Sequence, residues 1–464
     1  MLKKNQFGSD FVWGTTISSF QNEGWPKAEG KGASIWDRFT SNYNNIKNSD
    51  KIENASNFYK DFERDIQIAS ELNLRVFRFS LSWTRIFPQG MGDVNLEGVY
   101  FYHRVIDCCL KHGLQPWVTL YHWDLPQKLE DLGGWTSRSI VHWFSKYTDF
   151  CTKEYGHKVK HWLVLNEPMS FVGLGYFMGY HAPGKTGLSN FLKAAHHACL
   201  CNAEGGRIVR RNVEGAQVGT AFSCSVIKPI NKWFMNRRAA SRMEALLNRF
   251  FIEPSLGLGY PTDIMPGLNM IQRYFNEGDE ERLKFDFDFI GIQYYFRVVT
   301  KFSLFPPVLF ATEIEAKKRN AKVNTMGLEV YPKGMYKILN FYHQYKGIKK
   351  IIVSESGVCY PDHVSNGKVY DIKRTQYHRK ILKQILRAQK KGIPVKGYLI
   401  WTLIDNFEWK EGFEPRFGLV YNNFKTQERI IKYSGLWFQS FLKSKKNSIK
   451  KLESQQELST NVHG

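Results

Sequence analysis

The strongest constraint on the fold is an alternation that recurs eight times along the chain. A short apolar or β-branched run is followed each time by a longer stretch with helical spacing. The candidate strands are "FVWGTTI" (11–17), "LRVFRFSLSW" (74–83), "QPWVTLYHW" (115–123), "HWLVLNEP" (161–168), "AQVGTAFSC" (216–224), "FDFIGIQYY" (287–295), "IIVSESG" (351–357) and "VKGYLIWTLID" (395–405). Between them lie stretches such as "FYKDFERDIQIASELN" (58–73) and "RTQYHRKILKQILRAQKKG" (374–392), whose apolar residues recur at three and four. Strands that alternate with helices build right-handed crossover units on a parallel sheet. An open doubly wound sheet accommodates the same alternation. Eight repeats in 464 residues are read here as a single closed (β/α)8 TIM barrel with inserted loops. No Pro- or Gly-rich linker divides the chain. Residues 1–445 are therefore expected to form one barrel domain, with the basic, polar stretch 446–464 as a poorly ordered tail.

Several function classes recede on composition. No run of 18 apolar residues exists, so no membrane span is expected. The start, "MLKKNQFGSDFVWG", lacks the apolar core of a secretory signal, and the seven cysteines follow no framework spacing. A reduced, cytoplasmic protein is expected. The formal charge is +22, from 65 Lys and Arg against 43 Asp and Glu. These cations are spread along the chain, densest in "EAKKRNAK" (315–322) and "KSKKNSIKK" (443–451), with no recognised nucleic-acid module. No nucleic-acid partner is expected. "AHHACLC" (195–201) and "DCC" (107–109) match neither Cys-x-x-Cys pairs nor His-Glu-x-x-His, so no metal is expected. The glycines of "VGLGYFMGY" (172–180) follow no dinucleotide pattern, and no cofactor is implied.

Barrel enzymes carry their chemistry at the C-terminal ends of the strands. The first strand leads to Gln21 and Glu23, and the second carries Arg78. The third ends in His122, Trp123 and Asp124, and the fourth in Asn166, Glu167 and Pro168. The sixth ends in Tyr294 and Tyr295, and the seventh in Glu355. The eighth carries Trp401, followed by Asp405, Glu408 and Trp409. Either glutamate alone reads as a surface ion pair, and Trp123 alone as core packing. Together, Glu167 and Glu355 would face each other across a barrel mouth. Paired carboxyls of this kind are what glycosidic-bond cleavage requires, with one protonating the leaving oxygen and the other attacking the anomeric carbon or activating water. Arg78 is suited to hold a neighbouring carboxylate ionised. The rim aromatics suit the apolar face of a sugar, and Gln21, His122, Asn166 and Glu408 suit its hydroxyls.

The stretches "FVWGTTISSFQNEG", "RFSLSWTRIFPQG", "TLYHWDLPQ", "LNEP", "GIQYY", "VSESG", "DNFEWKEGF" and "RFGLVY" resemble glycoside hydrolase family 1, the β-glucosidase-like retaining enzymes, in that family's order. The resemblance runs from about residue 7 to about 442. It implies that Glu167 is the general acid/base and that Glu355 is the nucleophile, contacted and tuned by Arg78 and Tyr295. It also implies that Gln21, His122, Asn166, Glu408 and Trp409 grip the nonreducing sugar over a Trp401 platform, with Trp123 beside them. The implied activity is double-displacement hydrolysis of β-D-glucosides, with galactosides and fucosides as further substrates and no cofactor. A small-molecule β-glycoside is the implied partner. The oligomeric state is not legible.

Three departures stand out. Ser356 occupies a position where the family usually has Asn, Gln293 stands where it often has Asn, and Leu328 where it commonly has a Trp for the leaving-group sugar. The altered "VSESG" and Leu328 keep open a sugar-binding protein with little turnover, and a transglycosidase stays open as well, since it differs from a hydrolase only in the acceptor. Glu408 and Trp409, in place of the phospho-sugar pattern, imply an unphosphorylated sugar.

Overall fold

The computed structural model describes residues 2–443; the tail expected to be poorly ordered, residues 446–464, lies outside them. Eight strands form the barrel: β1 (Val12–Thr16), β2 (Val76–Ser80), β3 (Gln115–Tyr121), β4 (His161–Asn166), β5 (Gln217–Pro229), β6 (Phe289–Phe302), β7 (Ile351–Glu355) and β8 (Val395–Trp401). Each pairs in parallel with its neighbours in chain order. Closure is made where β1 pairs with β8, Gly14 lying opposite Leu399 on one side and opposite Val76 of β2 on the other. The sheet is closed, and the open doubly wound alternative is excluded.

Strand alternation separates two cores. One face fills the barrel, with Val12, Val76, Trp117, Leu163, Ala221, Phe289, Ile352 and Leu399, one from every strand, in a single cluster. The opposite face packs on the helices in a much larger core. The helices show the spacing read from sequence. Phe58–Glu71 buries Phe58, Phe62, Ile66 and Ala69, and Ile372–Gln389 buries Tyr377, Ile381, Ile385 and Ala388. After the second, Gly392 takes a φ of 81°, a left-handed turn that glycine enters without steric cost.

Two strands run past their expected ends. β5 continues from Cys224 to Pro229 and β6 from Tyr295 to Phe302, paired with each other from Val226↔Arg297 to Pro229↔Thr300. The register shifts between Cys224 and Val226, so an irregularity marks where this ribbon leaves the barrel. A short strand, Ala311–Glu313, returns antiparallel along Thr300–Phe302. β8 is shorter than expected and ends at Trp401, whose peptide to Thr402 is cis.

Candidate active site

Arg78 lies at the centre of the rim. Its guanidinium is buried and reaches three strands: Nη1 donates to Glu355 Oε1 at 2.7 Å, Nη2 to Asn166 Oδ1 at 2.6 Å, and Nε to Thr119 Oγ1 at 3.0 Å. The Tyr295 hydroxyl donates to the other Glu355 oxygen at 2.8 Å. Both oxygens of Glu355, the last residue of β7, are thus held by donors from β2 and β6. Gly357 follows because the chain passes close to β8 there. A Cβ at this position would stand 2.0 Å from the Trp401 carbonyl oxygen.

Asn166 connects the two glutamates. Its Oδ1 accepts from Arg78 and also from Gln293 Nε2 at 2.7 Å, which leaves its amide nitrogen to donate to His122 Nε2 at 3.0 Å. His122 is therefore a neutral imidazole with its proton on Nδ1. Burial and the Arg78 charge press its pKa down, consistent with that state. The Nδ1 is buried without a protein partner, and such a donor suits a ligand hydroxyl. Glu167 follows in the left-handed region, φ 46°, with Pro168 opening the short helix Pro168–Val172. On that helix Ser170 donates from Oγ to Glu167 Oε2 at 2.9 Å.

The two carboxyls differ because their surroundings differ. Burial first, and the nearby Glu355 charge second, push Glu167 up to about 8 against the pull of Ser170 and Arg78. Burial raises Glu355 as well, but Arg78, Tyr295 and Gln293 all oppose it. With a guanidinium at 2.7 Å and a phenol at 2.8 Å, Glu355 carries the negative charge of the pair and Glu167 the proton. Glu408 is also pushed up to about 8, by burial and by Glu355, with Trp401 and Gln21 moderating the rise. Gln21 is fixed by its own donors and acceptors: its Nε2 reaches the Phe407 carbonyl at 2.8 Å and Glu408 Oε2 at 3.4 Å, and its Oε1 accepts from Ser18 at 2.8 Å.

Aromatic rings line the same pocket. Trp409 stacks on Trp123 with centroids 4.5 Å apart, and its ring lies 5.9 Å from His122, which is 6.2 Å from Trp401. Trp123 is pinned by its indole N–H to the Asn166 carbonyl at 2.8 Å. Trp123 (φ 81°) and Trp409 (φ 49°) both have left-handed backbones, a costly conformation for bulky residues that recurs at binding sites. Trp401 packs with Cys359 and Phe417, with Tyr295 and Met326 against them.

The residues singled out from sequence as catalytic or sugar-binding come together here. Four other rim residues do not join them. Glu23 pairs with Arg85 at 2.9 Å and accepts from Tyr102 at 2.7 Å, Asp124 accepts from Ser19 at 3.2 Å, and Tyr294 donates to the Tyr331 carbonyl at 2.8 Å. Asp405 is held by Lys432 at 2.6 Å and Arg416 at 2.9 Å. All four anchor rim loops. Ser356 meets the Tyr377 hydroxyl at 3.1 Å, and Leu328 lies half-buried in the turn closed by Asn324. Ser170 and Thr119 escaped the sequence reading. Ser170 had a signal, three residues after Glu167 where one helical turn brings side chains together; Thr119 had none.

His196 lies between Asp279 (2.9 Å) and Tyr260 (3.1 Å), and His197 Nδ1 is 2.8 Å from the Trp135 carbonyl, so both histidines of "AHHACLC" serve packing. All seven cysteines are buried and free. No described helix is long and apolar enough to cross a membrane.

Residues 3–447 match the family model described as Glycosyl hydrolase family 1. The chain is 36% identical to a 1,4-beta-D-glucan glucohydrolase of Thermotoga neapolitana over 95% of this chain and 98% of that protein. It is 35% identical to beta-glucosidase A of Thermotoga maritima over 96% of this chain and 99% of that protein. A solved family 1 β-glucosidase from Thermotoga maritima superposes with a TM-score of 0.89 at 35% identity, covering 94% of this chain and 97% of the other. A structure of the Thermotoga maritima enzyme in complex with isofagomine lactam also superposes with a TM-score of 0.89.

Proposed function

The chain belongs to glycosyl hydrolase family 1, and from that premise we propose that it is a retaining β-glucosidase acting on nonreducing terminal β-D-glucosyl groups. Galactosides and fucosides are secondary substrates of the same pocket. The observation that carries the assignment is the divided pair. Glu355 is held ionised by Arg78 and Tyr295, and Glu167 is pushed up to about 8.

In the first step the Glu355 carboxylate attacks the anomeric carbon as the bond to the leaving oxygen breaks, and the Glu167 proton passes to that oxygen. A glycosyl ester on Glu355 results. Esterification removes the negative charge that helps raise Glu167, so the Glu167 pKa falls and its carboxylate becomes a base. In the second step Glu167 takes a proton from water, the water oxygen attacks the anomeric carbon, and Glu355 leaves as carboxylate. His122 Nδ1, Gln21, Asn166 and Glu408 bind the sugar hydroxyls, and Trp401, Trp409 and Trp123 supply the apolar wall. Glu408 and Trp409, in place of the phospho-sugar pattern, support an unphosphorylated sugar. Residues 1–445 form the catalytic unit, and seven free, buried cysteines support a cytoplasmic setting.

The test is mass analysis after incubation with an activated 2-deoxy-2-fluoro-β-glucoside, which lets the glycosyl-enzyme accumulate. One fluorosugar on the peptide holding Glu355 is expected. Label on another residue refutes the nucleophile, and no label from the gluco or galacto reagent refutes the retaining reading.

A further inference from the structure

The ribbon formed by β5 and β6 does more than close the barrel. Both strands run past the rim in the C-terminal direction, on the side where Tyr295 meets Glu355. From Tyr295 to Thr300 the rise is about 16 Å at strand spacing, so the ribbon stands clear of the mouth. It has a small core of its own. Ile227, Val298 and Ala311 pack with Ala239 and Met243 of the helix Phe234–Glu244 in a cluster separate from the main core. Its turns are pinned as well. Asn236 Oδ1 accepts from the Phe302 amide at 2.7 Å, and Arg242 donates to the Phe310 carbonyl at 2.9 Å. The arm is a preorganised element.

Its tip combines two surface chemistries. Ile230, Trp233, Phe234, Leu304, Phe305 and Phe310 are all exposed, Trp233 at 52% and Phe305 at 76%. Around them Lys228, Lys232, Arg237, Arg238 and Lys301 are exposed, and among the described residues none pairs with a carboxylate. Residues 215–243 contain no Asp or Glu at all. An aromatic and aliphatic tip collared by unpaired cations fits the boundary of a bilayer that carries anionic headgroups. Rings enter the acyl boundary while cations stay at the phosphate level. A second copy of this chain would bring the same collar and the same +22 charge, so like would face like. Nucleic acid would engage the cations but leave the apolar tip in water.

We propose that the β5–β6 arm docks the enzyme, barrel mouth first, on an anionic lipid bilayer surface. The proposal holds whichever sugar the pocket takes. It is tested by sedimenting the full chain with phosphatidylcholine vesicles, with and without phosphatidylglycerol, at physiological ionic strength. Binding to the anionic vesicles alone is expected. Replacing Trp233→Ser and Phe305→Ser together should weaken it by about tenfold or more. Replacing Lys232→Gln and Arg238→Gln should weaken it by about fivefold per charge. Hydrolysis of a soluble aryl glucoside should be unchanged in both variants, because neither pair touches the catalytic pocket. Hydrogen exchange on the unmodified chain gives a check independent of any variant. Residues 230–234 and 303–310 should slow on anionic vesicles. Failure to bind them, equal binding to neutral vesicles, undiminished binding by the aromatic variant, or self-association through the tip would each overturn the proposal.

Discussion

Replacing Ser170→Ala separates the two groups that stand near pH 8. Glu167 and Glu408 are both pushed up to about 8 by burial and by the Glu355 charge, so a basic limb at that pH does not by itself identify its owner. Ser170 contacts only one of them, donating to Glu167 Oε2 at 2.9 Å. A hydroxyl donor favours the ionised carboxylate over the acid, so its removal raises the Glu167 pKa further. A hydrogen bond to a charged group contributes about 1.5 kcal/mol, and about 1.4 kcal/mol corresponds to one pH unit. Ser170 is half-buried, and water recovers part of the loss, so the expected displacement is about 0.5–1 unit upward. The sign follows from the role. The acid must be protonated, so activity is lost as pH rises through its pKa, and a raised pKa carries the limb to higher pH. The assay is kcat/KM against pH for an alkyl β-glucoside, whose poor leaving group needs protonation. This ratio reports the free enzyme. A limb that stays in place or moves down refutes Glu167 as the titrating acid and points to Glu408.

Three further outcomes are expected. Glu167→Gln should lower kcat/KM by about 10²–10⁴ for alkyl glucosides and far less for an activated aryl glucoside, compared in steady-state assays. Tyr295→Phe removes the donor at 2.8 Å from Glu355 Oε2, so the Glu355 pKa rises and the acidic limb of the profile moves to higher pH, activity being lost sooner as pH falls. Lys432→Met strips the buried Asp405 and Asp362 of a shared cation, whose Nζ lies 2.6 Å from each. Urea unfolding should then show a loss of about 3–5 kcal/mol, with little change in the pH profile.

Much of the architecture is present in local patterns. Short apolar runs such as "IIVSESG", buried on both faces, and helical spacing such as Phe58, Phe62, Ile66 and Ala69 follow from how each backbone presents side chains, so the sequence determined eight strands and the helices between them. It also determined which chemistry gathers at one rim, because parallel strands all end on the same side. Closure was a different matter. It depends on β1 reaching β8, across 385 residues at the Thr15–Ile400 hydrogen bond, and alternation is the same in an open sheet. The length of the β5–β6 ribbon was likewise hidden, because "SVIKP" and "FRVVTKF" become strand by pairing with each other beyond the barrel. Nor could the motifs show that Glu23 and Asp405 anchor loops, since their partners Arg85 and Lys432 are ordinary residues in sequence. The motifs around Glu167 and Glu355 already imply, by resemblance, which is the acid and which the nucleophile, but the physical cause of any difference between them lies in the tertiary structure. The two are chemically identical side chains, and what separates them is burial and neighbours, with Arg78 reaching Glu355 across 277 residues and Asn166 across 88. A pKa is set by local dielectric and charge, and both are properties of the folded neighbourhood that no linear motif contains.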